Sequence, residues 1–573
     1  MQLRLATFLL LFIFQIACPA QTNYPQNYFA SPVDTAIALA GNFGEIRPNH
    51  FHAGFDIKTN NHEGMPVHAA AEGYISRIKI SPYGYGNALY ITHPNGYTSV
   101  YGHLKSFATA IAAFTKNAQY TLESFELDTL LSPSMLPVTK GQLIGLSGNT
   151  GGSSGPHLHF EIRETATEKP VNPYCFGYTV PDVNKPRITQ IAIYPLNEYS
   201  TVNGKNISKK IAPIYKKGNY TFLKQDTITV NGQIGFGVEC YDTETGSTGK
   251  NGVYSIELQS GGKRVYYHEL EKFSFENARY VNAHIDYESK QKHNTQIQKC
   301  FVSKNNQLGI YKDLINNGVL GFNDDSVHWI RFLVKDYVGN TTELMLKVKG
   351  SSRQPITKNK EANSNIIDCL KEYTYTTNEL KLLIPSAALY DDIPFHYSKP
   401  GSIAGTYSPV HQILSDETAL QKSMTISIQP IKLPDSLQSK ACIISLHGKS
   451  KYYEGGNYKD RWVTTQTKSL GGFAVSIDTT APKLRTAFKY TPKTTVNLTN
   501  AKIIGIITTD NLSGVRKYRA TIDGKWVLCE YETKQDLLFY TLDEHVITGT
   551  HTFLIQVWDD KNNKSELSFQ FKK

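Results

Sequence analysis

Two histidines stand two residues apart in Ser153-Ser154-Gly155-Pro156-His157-Leu158-His159-Phe160-Glu161-Ile162-Arg163, where a glycine-rich loop runs into a segment of alternating character. Side chains alternate between the faces of a strand, so His157, His159 and Glu161 share one face, and Leu158, Phe160 and Ile162 share the other, expected to be buried. The two histidine Cα atoms would lie about 6.5 Å apart, close enough for one imidazole to bind a cation and the other to reach a group bound to it. Taken alone, the pair reads equally well as half of a metal site or as a polar strand face. A second cluster, Asn49-His50-Phe51-His52-Ala53-Gly54-Phe55-Asp56-Ile57, joins histidine to carboxylate. In an extended strand His52 and Asp56 would stand about 13 Å apart, so they can share one ion only if the chain turns between them, and Gly54 sits where a turn can use it. With His159 they make an N, O, N set that leaves a fourth tetrahedral position for water, as a catalytic rather than a structural zinc requires. His50 forms another i, i+2 pair with His52, and spacing alone leaves it as a rival ligand.

The stretch from about residue 40 to 178 resembles the catalytic domain of the M23 family, the lysostaphin-like or LytM-like zinc metalloendopeptidases that cut peptides in bacterial cell walls. The motifs agree in order: His52-Ala53-Gly54-Phe55-Asp56 as H-x-x-x-D, Gly64-Met65-Pro66-Val67-His68-Ala69, Tyr85-Gly86-Asn87-Ala88-Leu89-Tyr90-Ile91-Thr92-His93 with Gly96-Tyr97, and Tyr101-Gly102-His103-Leu104. Lys140-Gly141-Gln142-Leu143-Ile144-Gly145, Gly148-Asn149-Thr150-Gly151 and His157-Leu158-His159 complete the series, which covers about a quarter of the chain. The resemblance implies one Zn2+ held by His52, Asp56 and His159, with His103 and His157 beside the reacting water, and so favours His52 over His50. It also implies a zinc-activated water attacking a peptide carbonyl, one of the two histidines stabilising the oxyanion and one passing a proton to the leaving amine. Arg47 lies in the approach to the first ligand, as a surface ion pair or as a cation that steadies a substrate carbonyl or carboxylate. His62, His68 and His93 match no catalytic position.

One feature departs from the family pattern: residues 105–139 form an insert between His103-Leu104 and Lys140-Gly141. Ala108 to Phe114 is expected to make a short helix, followed by the acidic stretch Glu123 to Asp128. The insert is either a wall of the substrate groove or a surface elaboration.

Residues 1–20 read as a secretory signal, with Arg4 at the basic end, an apolar core from Phe8 to Phe14, and Cys18-Pro19-Ala20 as the exit. Cleavage after Ala20 is favoured; a lipid anchor at Cys18 is the alternative. The expected location is therefore outside the cytoplasm, in the periplasm, outer membrane or cell surface, with no transmembrane helix. The net charge of +10 is mild for 573 residues and spread along the chain, and nothing resembles a nucleic-acid motif. The six cysteines after the signal are widely spaced without C-x-x-C, which argues against a structural zinc built from them.

The remaining chain repeats itself. His328, Val334, Asp336, Asn340, Thr342, Glu343 and Leu344 correspond to His551, Val557, Asp559, Asn563, Ser565, Glu566 and Leu567 at a constant offset of 223 residues. Both copies begin alike, at Asn184-Lys185-Pro186 and Thr480-Ala481-Pro482, and read as short strands between Gly, Asn and Asp turns. The expected fold is mainly β: an M23-type antiparallel sheet domain followed by immunoglobulin-like or fibronectin-like β-sandwiches. The expected division is a peptidase domain over 21–180, a sandwich with an insertion over 181–350, a linker over 351–365, a β-rich domain over 366–478 and a final sandwich over 479–573. These readings converge on an exported endopeptidase acting on peptidoglycan stem peptides or cross-bridges, with the sandwiches read first as a spacer that positions the peptidase and, as the alternative, as a module that binds the wall or docks an envelope protein partner. Two rivals stay open: a non-catalytic wall-binding or hydrolase-activating protein, and a peptidase of another exported protein.

Overall fold

The computed structural model describes residues 24–222, 227–245, 249–353, 365–489 and 494–573; the expected signal and most of the expected linker lie outside them. The N-terminal unit is built on β1 (Leu39–Gly41), β2 (Phe55–Lys58), β3 (Gly73–Ile80), β4 (Asn87–Thr92), β5 (Tyr97–Gly102), α1 (Thr109–Leu122), β6 (Leu127–Leu130) and β7 (His157–Glu164). The strands run antiparallel in the spatial order β1-β2-β7-β5-β4-β3-β6, and short strands at Pro137–Val138 and Pro170–Val171 bring the sheet to nine. In β3 a bulge between Ile75 and Arg77 breaks the alternation, so that Ile75 joins Ile78 and Ile80 in the core. Central β7 departs from the sequence expectation, because its histidine and glutamate face is buried as well as its Leu158, Phe160 and Ile162 face. Burial of that polar face is tolerated because His159, Glu161 and Arg163 pair with one another or with Asp56.

The insert forms α1, which is longer than the short helix expected from Ala108 to Phe114, and then β6, which pairs with β3 at the sheet edge opposite β1. Ile111 of α1 is buried in the sheet's core, while its outer face meets the C-terminal unit. There Lys116 pairs with Asp543 at 2.7 Å, Glu123 pairs with Arg519 at 2.6 Å, and Tyr120 stacks on His545 with ring centroids 4.1 Å apart.

Three further β units follow, each with its own core. In the first, β8 (Ile228–Tyr241) belongs to both layers of the sandwich: residues up to Asn231 pair with one set of strands, and those from Gly232 onward with another. Gly232 has φ 80°, a left-handed conformation that suits glycine at the point of transfer. The hairpin of β9 (Val327–Lys335) and β10 (Thr341–Gly350) is matched in the last unit by β12 (Thr550–Asp559) and β13 (Lys564–Lys572), where β11 (Ile503–Thr509) takes the place of β8. Even register is repeated: His328 stands opposite Val348 and His551 opposite Phe571, each shifted by the same offset as the sequence. The middle region, read from sequence only as β-rich, is a sandwich of two five-stranded sheets.

The Lys-, Asn- and Gln-rich insertion of the first sandwich carries two short helices, Val281–His284 and Tyr287–His293. Its apolar residues Leu270, Phe273, Tyr280 and Val281 enter the N-terminal core, where Phe273 lies 5.1 Å from Phe43 and 5.6 Å from Phe51 between ring centroids. The first sandwich is thus bonded into the same apolar core that supports β2 and β7. All six cysteines of the described residues are free thiols, and no helix among these residues is long and apolar enough to cross a membrane.

Candidate metal centre

β2 and β7 are neighbours, with His159 opposite Asp56 in register, and β5 flanks β7 on the other side. Register alone therefore puts His159 beside Asp56. His52 is brought in by a bend between Phe51 and Phe55. Gly54 at this bend is needed for space, since a Cβ there would lie 2.2 Å from the Phe160 carbonyl oxygen. The result is a triangle of donor atoms: His52 Nε2 to His159 Nδ1 3.0 Å, His52 Nε2 to Asp56 Oδ1 3.0 Å, and His159 Nδ1 to Asp56 Oδ1 2.9 Å. All three residues are buried.

Hydrogen bonds on the far side of each ring decide what faces the triangle. His52 Nδ1 lies 2.7 Å from the Asn42 carbonyl, which can only accept, so that nitrogen carries the proton and Nε2 turns a lone pair inward. His159 Nε2 lies 2.7 Å from Glu161 Oε1 and donates to it, which leaves Nδ1 toward Asp56. Glu161 is fully buried and also accepts from Arg163 Nε at 2.6 Å and the Tyr85 hydroxyl at 2.5 Å. Burial would raise its pKa, but the Arg163 charge and the His159 bond hold it down at about 2. Asp56 Oδ2 accepts from Arg47 Nη2 at 2.5 Å, so Arg47 orients the carboxylate as a half-buried ion pair.

Two imidazole lone pairs and a carboxylate thus converge, an arrangement that demands positive charge among them. Burial depresses His159, yet hydrogen bonds to Asp56 and Glu161 outweigh it and push its pKa up to about 9. Burial also opposes ionisation of Asp56, but its histidine neighbours, His52 foremost, and the hydrogen bond to His159 keep its carboxyl well below the usual range. The donors fit a divalent ion of zinc's type: N and O ligands, neutral tautomers fixed by carbonyl and carboxylate partners, and separations close to the edge of a small tetrahedron with bonds of about 2.0–2.2 Å.

His103 and His157 flank the triangle. The His103 ring lies 4.8 Å from His157 and 5.9 Å from His159 between centroids, and its Nδ1 donates to the Thr150 carbonyl at 2.8 Å. Burial, reinforced by the neighbouring histidines, lowers its pKa to about 3. His157 Nδ1 donates to the Gly155 carbonyl at 2.8 Å; its Nε2 is buried, 3.2 Å from Asp56 Oδ1 but out of line for a hydrogen bond, and has no partner. An orphaned buried acceptor beside the triangle is what a group bound there would satisfy. His50 stands outside: it is exposed, and its Nδ1 donates to the Pro48 carbonyl. His93 is buried between the Glu72 carbonyl and Ser99, His68 contacts the Gly141 carbonyl, and His62 is exposed.

Glu161, Tyr85 and Asn42 received no role in the sequence reading. Glu161 carried a signal, since it sits two residues beyond His159 on the same strand face; the Asn42 contact is made by a backbone carbonyl and carried none.

The fold and this donor set define a multidomain β protein built around one buried His-Asp-His centre. The model for peptidase family M23 matches residues 50–121 and 117–173, and one for a Zu5-like domain matches 364–478. Curated relatives include the DD-carboxypeptidase/endopeptidase Mpg of Neisseria meningitidis serogroup B, 34% identical over 134 residues, and the peptidoglycan DD-endopeptidase ShyA of Vibrio cholerae, 31% identical over 147. The matches cover 23% and 25% of this chain, and the chain spans only 24% and 28% of those relatives. Among solved structures, a zinc-containing peptidase from Vibrio cholerae is 26% identical, with 27% of this chain and 41% of that one covered and a TM-score of 0.20. Over residues 50–173, the N-terminal unit is thus similar to peptidases of family M23.

Proposed function

We propose that this chain is an exported zinc metalloendopeptidase that hydrolyses peptide bonds in peptidoglycan stem peptides or cross-bridges. The observation that carries this reading is the meeting of His52 Nε2, Asp56 Oδ1 and His159 Nδ1 within 3.0 Å, inside an M23-family sheet and beside two more histidines. The similarity to Mpg and ShyA, whose names specify DD-carboxypeptidase and DD-endopeptidase activities, supports peptidoglycan as the substrate.

His52, Asp56 and His159 would hold the metal. Zinc bound there supplies Lewis acidity, which acidifies water and polarises a carbonyl. The chain's own groups supply the rest. Arg47 fixes Asp56 through Oδ2, and Glu161 with Tyr85 and Arg163 fixes His159. His103, neutral because its pKa lies near 3, and His157, with its free Nε2, present basic nitrogens beside the triangle. They are placed to accept the proton of an attacking water and return it to the leaving amine, and the protonated form donates to the developing oxyanion.

Zinc content and mass spectrometry of products from purified peptidoglycan test the proposal. Cleaved stem or cross-bridge peptides from the wild type, and none from His159→Ala, are expected. A fully zinc-loaded wild-type chain that binds wall material and leaves it uncut would overturn the enzyme reading in favour of a wall-binding protein.

A further inference from the structure

A second set of converging donors lies where the first sandwich meets the N-terminal unit. Asp182 on the approach to the sandwich, Asp242 just after β8 and Asp336 just after β9 bring carboxylate oxygens within 4.8 Å of one another. Asp336 is fixed by its own turn, Oδ1 accepting from the Gly339 and Asn340 amides at 2.7 and 2.8 Å and Oδ2 from the Asn340 side chain at 2.7 Å. Asp182 Oδ1 accepts from the Asn184 and Thr245 amides at 3.0 and 3.1 Å. Asp242 is different. It is only 4% exposed, and its Oδ1 has no hydrogen-bond partner. Glu244 stands beside it, 5% exposed, with Oε2 accepting from the Leu39 amide at 3.2 Å and Oε1 without a partner. An unpaired buried carboxylate costs several kcal/mol, and several sharing one site repel one another.

A cavity of about 20 Å³ lies among these groups, walled on the other side by Asn42, Phe43, Asn172 and Tyr174 of the N-terminal unit. It admits one water-sized occupant and no organic ligand. We propose that Asp182, Asp242 and Asp336, with Glu244, bind a hard divalent cation of the Ca2+ class that clamps the first sandwich to the peptidase unit. The donors are all oxygens, which selects Ca2+ or Mg2+ over zinc. Their spread is no wider than opposite oxygens about 2.4 Å from one Ca2+, which favours the larger ion. Burial and mutual repulsion push both Asp242 and Glu244 up to about 7, as expected of acids gathered without enough countercharge; Lys58 offsets part of this at Glu244.

The last sandwich supplies an internal comparison. Asp478, Asp510 and Asp559 occupy the equivalent positions, again within 4.8 Å, and Asn563 bonds Asp559 and the Asp478 carbonyl as Asn340 bonds Asp336 and the Asp182 carbonyl. Val338, which lines the first cavity, is replaced there by Lys561, a buried ammonium that donates to the Gly456 carbonyl and lies within the field of Asp560, Asp478 and Asp559. A lysine ammonium thus lies near the last cluster, where Asp510 Oδ1 is also without a partner, whereas no lysine or arginine among the described residues lines the first cavity.

The clamp does not depend on the peptidase reading, and its test reads binding and stability. The full chain, treated with chelator, is titrated with Ca2+ or Mg2+ by equilibrium dialysis and by Tm. Wild type should bind one Ca2+ with a Kd at or below about 10⁻³ M, more tightly than Mg2+, and gain several degrees of Tm. His159→Ala should behave the same, which separates this site from the histidine centre. Asp242→Asn should weaken Ca2+ binding at least ten-fold, yet match or exceed wild type in Tm under chelator, because the amide relieves the repulsion; Glu244→Gln should act in the same direction. No Ca2+-dependent shift in wild type, equal shifts in wild type and Asp242→Asn, or loss of binding in Asp510→Asn instead, would each overturn the assignment.

Discussion

The histidine centre and the aspartate cluster pose one electrostatic problem with two sets of ligands. In both, buried acceptors face one another and call for a cation. The histidine centre is assembled on strands in register, and each donor is braced from behind, His52 by the Asn42 carbonyl, His159 by Glu161 and Asp56 by Arg47. The aspartate cluster is assembled on turns, and the braces are backbone amides rather than side chains. Nitrogen with oxygen on a rigid sheet suits a small ion with fixed geometry; oxygen alone on turns suits a larger, less directional one. The proposed chemistry belongs to the first because His103 and the unpartnered Nε2 of His157 stand next to it, whereas Val338 and aromatic rings surround the second.

The sharpest break in this comparison is His159→Ala, which should abolish zinc binding and wall digestion together while leaving Ca2+ binding intact, as read by metal analysis. His157→Ala should keep most of the zinc and lower turnover by about 10²–10⁴-fold, the range for a general acid or base; unchanged turnover would take His157 out of the chemistry. Glu161→Gln probes the bracing alone and should weaken zinc by about 10–100-fold in a competition titration, with no change in the Ca2+ response. pH separates the two sites further. The carboxyls of Asp242 and Glu244 titrate near 7 in the folded chain and near 4 when unfolded, so their protonation stabilises the fold fully below about pH 4 and is lost as pH rises through 7. Under chelator, the Tm of wild type should therefore fall relative to Asp242→Asn over that window, and Ca2+ should flatten the difference. The smallest effect concerns the last sandwich: Lys561→Val copies the residue of the first cluster and should raise Ca2+ stoichiometry from one toward two.

Parts of both sites were legible in the sequence. His157 and His159 stood out because the period of a strand puts them on one face, and the 223-residue offset already paired Asp336 with Asp559 and Asn340 with Asn563. The expectation of one polar and one buried face on β7 missed that both are buried, since Tyr85, which bonds Glu161, and Phe275, which lies against Arg163, come from distant segments. The insert was read for a short helix; that α1 continues to Leu122 and carries the C-terminal unit reflects Tyr120 and Lys116 meeting His545 and Asp543, a contact no local pattern encodes.

By itself the sequence determined residue types and local periods: histidines two apart on a strand, a carboxylate four residues beyond another histidine, and a β repeat with conserved turn residues. Only the tertiary structure decided which of these meet. Pairing of β2 with β7 brings Asp56 to His159, because register fixes which side chains share a face, and the bend at Gly54 carries His52 to both while His50 stays in solvent. Docking of the first sandwich gathers Asp182, Asp242, Glu244 and Asp336 against Leu39 and Tyr174, because long-range packing of Phe273 on Phe43 and Phe51 sets where those turns fall.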